Sequence, residues 1–339
     1  MTSLSSVLIV DDEPAVRQLM SRWAVSAGMS AHAAGSALEA LEILDERQYD
    51  LAIVDINMPG KDGLWLADEM CREHPGTAVV LATAYTELLD GRAAPPPVAD
   101  LMLKPFSRQR FLQAMDRGRE WHDRARAEVE YHRQLLDETS RRALALRTLV
   151  NAERARGIDE AETLLGRLAQ QLPDVRSHCD RVSEQSARLA RALDLDDKTV
   201  TEVAWAGLLH DVGKLAIPES LLTSKTRLRP GELAIVRRQA EIGAGILGDT
   251  ANLRDVAPLV RAVHERFGGG GTPGGLSGAA IPLASRIVSV VDAYDAMIND
   301  CSYRGPLDPS SAAAGLLRST PGQFDPEVVI TFLVMIGRP

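Results

Sequence analysis

The sequence is poor in cysteine and in aromatic residues, and it contains no long uninterrupted run of apolar side chains. Its three cysteines (Cys71, Cys179 and Cys301) are widely separated and odd in number, so they predict neither a disulfide framework nor a C-x-x-C zinc motif. The longest apolar runs are shorter than the roughly 18 residues that a membrane-spanning helix needs. Because aromatic residues make up only 4% of the chain, we expect cores built mainly from aliphatic side chains and alanine.

The sequence also lacks an excess of positive charge. Lysine and arginine number 38 against 47 aspartates and glutamates, and the resulting net charge of −9 argues against a main surface that binds DNA or RNA. The amino-terminal segment has neither the basic start nor the small-residue cleavage site of a secretory signal. These absences predict a soluble cytoplasmic protein with no membrane insertion. At roughly 100–200 residues per domain, the length of 339 residues suggests two domains.

The first 106 residues alternate apolar runs with amphipathic segments. The runs SSVLIVDD, DLAIVDI, TAVVLAT and ADLMLKPF are typical of strands. Between the first and third strands of the sheet lie two segments with apolar residues at helical spacing. Near-continuous apolar strands indicate a parallel sheet with helices on both faces. The pattern therefore predicts an α/β, doubly wound domain. The prolines at positions 95–97 disfavour a full helix before the last strand.

Polar residues follow the strands of this predicted sheet. Asp11 and Asp12 follow the first strand, Asp55 ends the third, Thr83 ends the fourth, and Lys104 follows the fifth. Ligands of parallel sheets bind beyond the carboxyl ends of the strands, so we expect these side chains to converge. Three carboxylates this close repel one another unless a hard cation such as Mg²⁺ lies between them. A carboxylate beside Mg²⁺, a hydroxyl and a lysine is suited to accept a phosphoryl group.

This arrangement resembles the receiver domain of bacterial two-component response regulators, over residues 1–120. The resemblance implies a five-stranded parallel sheet and a cognate sensor histidine kinase as partner. It also implies a role for each polar residue: Asp55 is the phosphoacceptor, Asp11, Asp12 and Asp55 bind Mg²⁺, and Thr83 and Lys104 contact the phosphoryl group. One residue departs from the pattern, because Leu101 stands where receivers usually carry an aromatic side chain that switches on phosphorylation.

Residues 108–157 form a predicted helical linker that overlaps the end of the receiver domain. From Arg108 to Gly157 there are 12 arginines, no lysines and 8 acidic residues. Two heptad lines run along this segment: Met115, His122, Val129, Leu136, Ala143 and Val150 in one, and Ala125, His132, Thr139 and Leu146 in the other. A weak coiled-coil seam of this kind favours a homodimer through the linker. A solvated helix that only connects two domains is the alternative interpretation.

From residue 158 to residue 339 the pattern is helical throughout, and its most informative tract is WAGLLHDVGKLAIPESLL. His210 and Asp211 are adjacent on an apolar helix and are followed by Gly213 and Lys214. A buried helix that carries a histidine and an aspartate has to satisfy both polar side chains, and a metal ion does so efficiently. The tract therefore predicts a metal site. Cys179, which follows His178, is interpreted as a residue that packs in the core.

This all-helical region resembles the HD superfamily of metal-dependent phosphohydrolases and, within it, the HD-GYP subfamily of cyclic di-GMP phosphodiesterases. The resemblance implies one transition metal, iron or manganese, and cyclic di-GMP or a related nucleotide as ligand. The implied metal ligands are His178, His210, Asp211 and Asp292, with His264 and Asp174 as weaker candidates. The residues implied to contact phosphate are Lys214, Arg286 and Arg304.

The sequence departs from the HD-GYP pattern at its second metal site. Gln239 and Val263 stand at two positions where the subfamily carries histidines, and FGGGGTP at residues 267–273 lacks the expected acidic residue and tyrosine. Glutamine is a poor ligand for a transition metal and valine is none. We therefore expect the domain to bind one metal well and a second weakly or not at all.

The sequence leads to two main hypotheses about function, and hydrolysis of another phosphoester by a one-metal HD site is a third. In the first, the chain is a response regulator whose phosphorylation at Asp55 controls hydrolysis of cyclic di-GMP by the helical domain. In the second, the helical domain is catalytically inactive and acts as a module that binds a nucleotide or a protein. The losses at the second metal site favour the inactive module. The retention of Lys214, Arg286 and Arg304 favours a domain that still binds a nucleotide.

Overall fold

The computed structural model of the chain describes residues 6–84, 97–157, 159–224, 226–299 and 305–338. Pro95, Pro96 and Arg304 lie outside these ranges, and so do the expectations that concern them. The chain divides between Tyr131 and His132 into two compact units.

The first unit contains a five-stranded parallel sheet in the order β2-β1-β3-β4-β5. The strands are β1 (Ser6–Val10), β2 (Ser30–Ala34), β3 (Leu51–Asp55), β4 (Ala78–Thr83) and β5 (Asp100–Leu103). Every residue of β1, β3 and β4 is buried, as their continuous apolar runs predict. The edge strand β2 buries only Ala34. Its sequence SAHAA therefore lacks the apolar run that predicts the buried strands. This sheet confirms the predicted α/β fold.

Helices alternate with the strands of the first unit. They are α1 (Pro14–Ser26), α2 (Ala37–Glu46), α3 (Gly63–Glu73) and the first half of α4 (Arg108–Ala155). The side chain of Asp62 caps α3 by accepting a hydrogen bond from the backbone N–H of Trp65 at 2.7 Å. The first residue of α3 has to be glycine, because a Cβ at Gly63 would lie 2.0 Å from the backbone oxygen of Asp55. Helix α3 therefore starts directly against the end of β3.

All the regular secondary structure in the described residues of the second unit is helical, which confirms the predicted all-helical class. It begins with the half of α4 that follows His132. Its further helices are α5 (Glu160–Gln171), α6 (Pro173–Ala192), α7 (Asp197–Leu209), α8 (Glu219–Leu222), α9 (Pro230–Arg237), α10 (Gln239–Gly248), α11 (Ala257–Arg261), α12 (Leu283–Ile298), α13 (Pro309–Arg318) and α14 (Pro326–Met335). Short 3₁₀ turns cover Val212–Ala216 and Gly278–Ala280.

The core of the second unit is mainly aliphatic, as the low aromatic content predicts. Within this cluster, the described residues contain one pair of packed aromatic rings, Tyr294 and Phe332, whose centroids are 5.0 Å apart. Part of the acidic excess of the sequence has a local structural role, since Asp159, Asp196 and Asp325 cap α5, α7 and α14 with their side chains. Such caps each stabilise a helix by roughly 1 kcal/mol.

The predicted heptad seam of α4 is largely buried within the chain itself. In the first unit, Met115 joins the cluster beneath the sheet, and His122 is also buried. In the second unit, Leu146 and Val150 belong to the main aliphatic core. Val129, between the two halves, is 70% exposed. Most of the apolar stripe thus packs on its own chain, because a heptad pattern does not specify whether the helix it packs on belongs to the same molecule.

The turn after α7 is fixed by a close backbone contact. A Cβ at Gly213 would lie 1.9 Å from the backbone oxygen of Gln239, so this position accepts only glycine without a shift of α10. His210 and Asp211 immediately precede this turn, and the contact therefore fixes where α10 begins relative to both residues.

We expect Gly213→Ala to destabilise the second unit by about 2–3 kcal/mol, because the added methyl group would displace α10. Urea denaturation followed by circular dichroism measures the change. Gly166→Ala in α5 is the matched control, since its Cβ would meet no atom within 4 Å. There we expect a gain of roughly 0.5–1 kcal/mol from helix propensity. Equal midpoints for Gly213→Ala and the wild type would contradict the close contact.

Candidate functional site

The first unit brings the predicted carboxylates together at the carboxyl ends of its strands. One oxygen each of Asp11, Asp12 and Asp55 lies within 4.8 Å of the others. The Nζ atom of Lys104 is 2.8 Å from Oδ2 of Asp11 and 2.9 Å from Oδ2 of Asp55. Thr83 is fully buried at the end of β4, next to β3 in the sheet. All five predicted residues therefore lie at this edge of the sheet.

The two oxygens of the Asp55 carboxylate have different surroundings. Oδ2 accepts the contact from Lys104, whereas Oδ1 is buried and has no hydrogen-bond partner in the described part of the chain. Burial raises the pKa of Asp55, and the hydrogen bond from Lys104 only partly opposes this rise. An oxygen that is held in place and unpaired is available to a cation or to an incoming phosphorus atom.

The second unit contains a cluster of metal-ligand side chains formed by α6, α7 and α12. Nε2 of His178 is 3.0 Å from Oδ1 of Asp292, and Nε2 of His210 is 3.7 Å from the same oxygen. Nε2 of His210 is also 3.5 Å from Oδ2 of Asp211. Ligands at roughly 2.0–2.2 Å from one ion lie about 3.0–3.6 Å from one another, so the spacings among His178, His210 and Asp292 are close to those around a single metal ion. Asp211 is within 4.8 Å of His210 but does not belong to the group that contains His178 and Asp292.

The orientation of the two histidines supports the same fit. Nδ1 of His210 donates to the backbone oxygen of Gly207 at 2.8 Å, which leaves Nε2 as the ring nitrogen that faces the carboxylates. This nitrogen is buried and has no hydrogen-bond partner among the described residues. Burial acts to lower the pKa of both histidines, but nearby carboxylates raise it to about 9 for His178 and for His210. The negative field that raises these pKa values also attracts a metal cation.

Asp211 is a strongly ionised carboxylate of the cluster. Its side chain is 2% exposed, and burial alone would raise its pKa, but Lys214 and His210 hold the pKa well below its usual range. Nζ of Lys214 lies 2.6 Å from Oδ2 of Asp211. The lysine therefore carries its charge next to the ligand set, within the turn that follows α7.

Asp295 is a site residue that the sequence analysis missed. Its Oδ2 accepts a hydrogen bond from Nδ1 of His178 at 2.6 Å, and Arg181 donates to both of its oxygens at 2.8 Å. These bonds hold the pKa of Asp295 at about 2 against the effect of burial. The signal was present in VDAYDA, because Asp292 and Asp295 are three residues apart and share one face of α12.

A second group of donor atoms shares His210 with the first. One atom each of Cys179, His210 and Asp211 lies within 4.8 Å of the others, and all three side chains are buried. The sequence analysis treated Cys179 as a packing residue, because a cysteine next to a histidine carries no spacing signal of its own.

His264 lies close to the cluster, but a hydrogen bond engages its outer nitrogen. Nε2 of His264 is 2.8 Å from Nε2 of Gln239, so this ring nitrogen is already used, whichever atom of the glutamine side chain faces it. Burial lowers the pKa of His264, which keeps the ring neutral. Val263 is buried in the aliphatic core. The donor clusters of the described residues do not include His264.

Three further predicted residues lie apart from the cluster or outside the described ranges. Asp174 is exposed in the first turn of α6, and no donor cluster of the described residues contains it. The guanidinium of Arg286 is held by Asp325 at 2.5 Å and by the backbone oxygen of Ile281 at 3.0 Å. These contacts tie the start of α12 to the cap of α14. Arg304 is outside the described residues.

The glycine-rich loop at 268–278 folds against Glu265. Oε1 of this buried glutamate accepts a hydrogen bond from the backbone N–H of Gly274 at 2.5 Å. The backbone N–H of Gly268 donates to the oxygen of Gly322 at 3.1 Å. These two hydrogen bonds hold the loop in place, and the Glu265 side chain binds the backbone of the loop.

Comparison with known families matches both units. Residues 7–116 match the response regulator receiver domain, and residues 159–328 match the HD domain. The chain is a response regulator of the HD domain family. The described part of this HD-domain response regulator has no helix long and apolar enough to cross a membrane.

The curated relatives of this chain include phosphodiesterases of cyclic dinucleotides. The chain is 29% identical to the cyclic di-GMP phosphodiesterase response regulator RpfG of Xanthomonas campestris, over 97% of this chain and 87% of that protein. It is 28% identical to a cyclic di-GMP phosphodiesterase of Thermotoga maritima, over 97% and 89% of the two chains. A 3′3′-cGAMP-specific phosphodiesterase of Vibrio cholerae is 34% identical over 45% of this chain and 30% of its own length.

We expect Asp295→Asn to weaken metal binding to the HD domain by about 10–100-fold, because the variant removes the carboxylate that orients His178. Isothermal titration with Mn²⁺ measures the dissociation constant. Asp180→Asn is the control, since Asp180 lies on α6 as well but pairs with Arg176 at the surface. An unchanged metal affinity in a correctly folded Asp295→Asn protein would remove Asp295 from the site.

Proposed function

We propose that this response regulator hydrolyses a cyclic dinucleotide, cyclic di-GMP in the first instance, under the control of phosphorylation at Asp55. The observation that carries the proposal is the buried Nε2 of His210, which has no hydrogen-bond partner among the described residues and faces the carboxylates of Asp211 and Asp292. A buried imidazole nitrogen that faces ligand-type oxygens is suited to bind a metal ion in place of its proton.

In the receiver domain, Asp55 is the proposed phosphoacceptor. Its oxygen would form a bond to phosphorus while the bond between phosphorus and the histidine of a sensor kinase breaks. Asp11 and Asp12 would hold Mg²⁺ together with Asp55, and Lys104 and Thr83 would contact the transferred group. Support comes from the unpaired Oδ1 of Asp55 and from the two contacts of Lys104. A kinase and a cyclic dinucleotide as partners imply a cytoplasmic location.

In the HD domain, His178, His210, Asp211 and Asp292 would hold one transition metal, iron or manganese. A metal ion bound there supplies Lewis acidity and an activated water for attack on a phosphodiester. Lys214 would place its charge beside the phosphate and stabilise the negative charge that develops on it. Asp295 and Arg181 would fix the ring of His178. Arg286 and Arg304 remain predicted phosphate contacts.

A second candidate function is binding without hydrolysis. The observation that favours it is the hydrogen bond between Gln239 and His264, because it uses the nitrogen that a second metal ion would need. With Val263 in the core, the ligand set for a second ion stays incomplete in the described residues. The HD domain would then act as a nucleotide- or protein-binding output.

Helix α4 offers a route by which the receiver could influence the HD domain. Its residue Leu135 packs in a small cluster with Ile217, Leu221 and Ile235. Lys214 lies in the 3₁₀ helix Val212–Ala216, and Ile217 caps the carboxyl end of that helix. A shift of α4 would therefore act on the segment that positions the lysine. A homodimer along α4 also remains a prediction, centred on the exposed Val129.

We expect the purified full-length protein, reloaded with Mn²⁺ or Fe²⁺, to cleave cyclic di-GMP, and Asp211→Ala to lose at least about 100-fold in rate because a metal ligand is removed. Chromatography of the nucleotide products measures turnover, with 3′3′-cGAMP as a second substrate. Asp255→Ala is the matched control, an exposed aspartate of the same domain that belongs to no donor cluster of the described residues.

Background turnover of both dinucleotides by the wild type and by Asp211→Ala would exclude the enzyme function for these substrates. If the wild type nevertheless binds cyclic di-GMP in a direct titration, the binding module is the correct alternative.

We expect acetyl phosphate and Mg²⁺ to add one phosphoryl group to the wild type and none to Asp55→Asn, because the amide cannot act as the acceptor. Mass spectrometry of the intact protein detects the addition, and Asp45→Asn, at an exposed receiver position, is the control. Beryllofluoride should then change the oligomeric state or the dinucleotide turnover. No response of a demonstrably modified protein would reduce the receiver domain to a tether.

A further inference from the structure

Cys179 is a buried thiol beside the proposed metal centre, and none of the roles above uses it. It follows His178 directly on α6, and its side chain is a free, fully buried thiol. In the described second unit, it is not a member of the aliphatic cluster that forms the main core. Its sulfur instead lies within 4.8 Å of one donor atom each of His210 and Asp211. A thiol, an imidazole and a carboxylate are thus grouped in one buried cluster.

The unpaired nitrogen of His210 is an independent indication that this group binds a ligand. His210 is 1% exposed, its Nδ1 is used by Gly207, and its Nε2 has no hydrogen-bond partner in the described ranges. Buried polar atoms of this kind are almost always satisfied by a protein group, a water or an ion. Because the same histidine belongs to both donor clusters, an ion bound by its imidazole has the thiol within reach.

We propose that Cys179 supplies a thiolate ligand to the metal centre of the HD domain. The inference rests on the metal centre of the proposed function and deepens it. On binding, the thiol proton leaves to solvent as the bond between sulfur and metal forms, and no oxidant or reductant is needed. A sulfur ligand favours zinc, iron(II) and cobalt(II) over magnesium and manganese(II). Cys179 therefore determines which ions the site selects.

Cobalt(II) is the probe for this assignment, because its absorption reports its ligands directly. The full-length protein is stripped with a chelator and reloaded with one equivalent of cobalt. We expect the wild type to show a near-ultraviolet charge-transfer band from thiolate to cobalt and visible bands of the bound ion. Cys179→Ser should lose the charge-transfer band and keep the visible bands, because the histidine and aspartate ligands remain. Cys71→Ser, in the receiver domain, is the matched control and should keep both.

The preference between metals gives a second measurement. The ratio of the cobalt affinity to the manganese affinity should fall at least about tenfold in Cys179→Ser, since only the softer ion gains from sulfur. Cys179→Ala is measured in parallel, because the buried hydroxyl of Cys179→Ser could destabilise the fold whereas a methyl group adds no polar atom.

Three outcomes would overturn the assignment. Cobalt bound by the wild type without a charge-transfer band rejects Cys179 as a ligand and leaves the metal centre in place. A band that persists in Cys179→Ser and Cys179→Ala rejects it as well. A wild type that binds no cobalt at all rejects the metal centre itself, and with it the proposed hydrolysis.

Discussion

Buried carboxylates that need positive charge close by are the constraint on which both units of this chain depend. In the receiver domain, Asp11 and Asp55 face Lys104, and in the HD domain Asp211 faces Lys214. Taking a carboxylate out of water costs several kcal/mol, and one lysine offsets only part of that cost where several carboxylates meet. The receiver domain therefore folds around a site with a deficit of positive charge, whereas in the HD domain protonated His178 and His210, or a metal ion in place of their protons, balance the carboxylates. We infer that a bound cation contributes to the stability of the fold as well as to its chemistry.

Much of the first unit could be predicted because its rules act locally along the sequence. Apolar runs predicted β1, β3 and β4, which are fully buried, and the geometry of parallel sheets predicted that Asp11, Asp55 and Lys104 would meet. The dyad of His210 and Asp211 was equally visible, since adjacent polar residues on an apolar helix require partners. In each case the side chains lie on or at the end of a strand or helix that the local sequence pattern predicts.

The remaining contacts depend on how distant helices pack, which no local pattern specifies. Asp295 meets His178 across 117 positions of the sequence, and Gln239 meets His264 only because α10 starts where it does. The apolar stripe of α4 was visible in the sequence, but its partner was not. Leu146 packs into the chain's own core, whereas the same spacing is typical of a helix that pairs with another molecule.

The contact of Gly213 with the backbone of Gln239 separates the scaffold of the HD domain from its chemistry. The carbonyl oxygen of residue 239 lies against Gly213, whatever side chain residue 239 carries. A replacement there alters which atoms face the neighbouring histidine and leaves the start of α10 where it is. A domain built in this way can lose or regain a donor by a single codon change. The side chain at position 239 can therefore be exchanged on a backbone that stays in place.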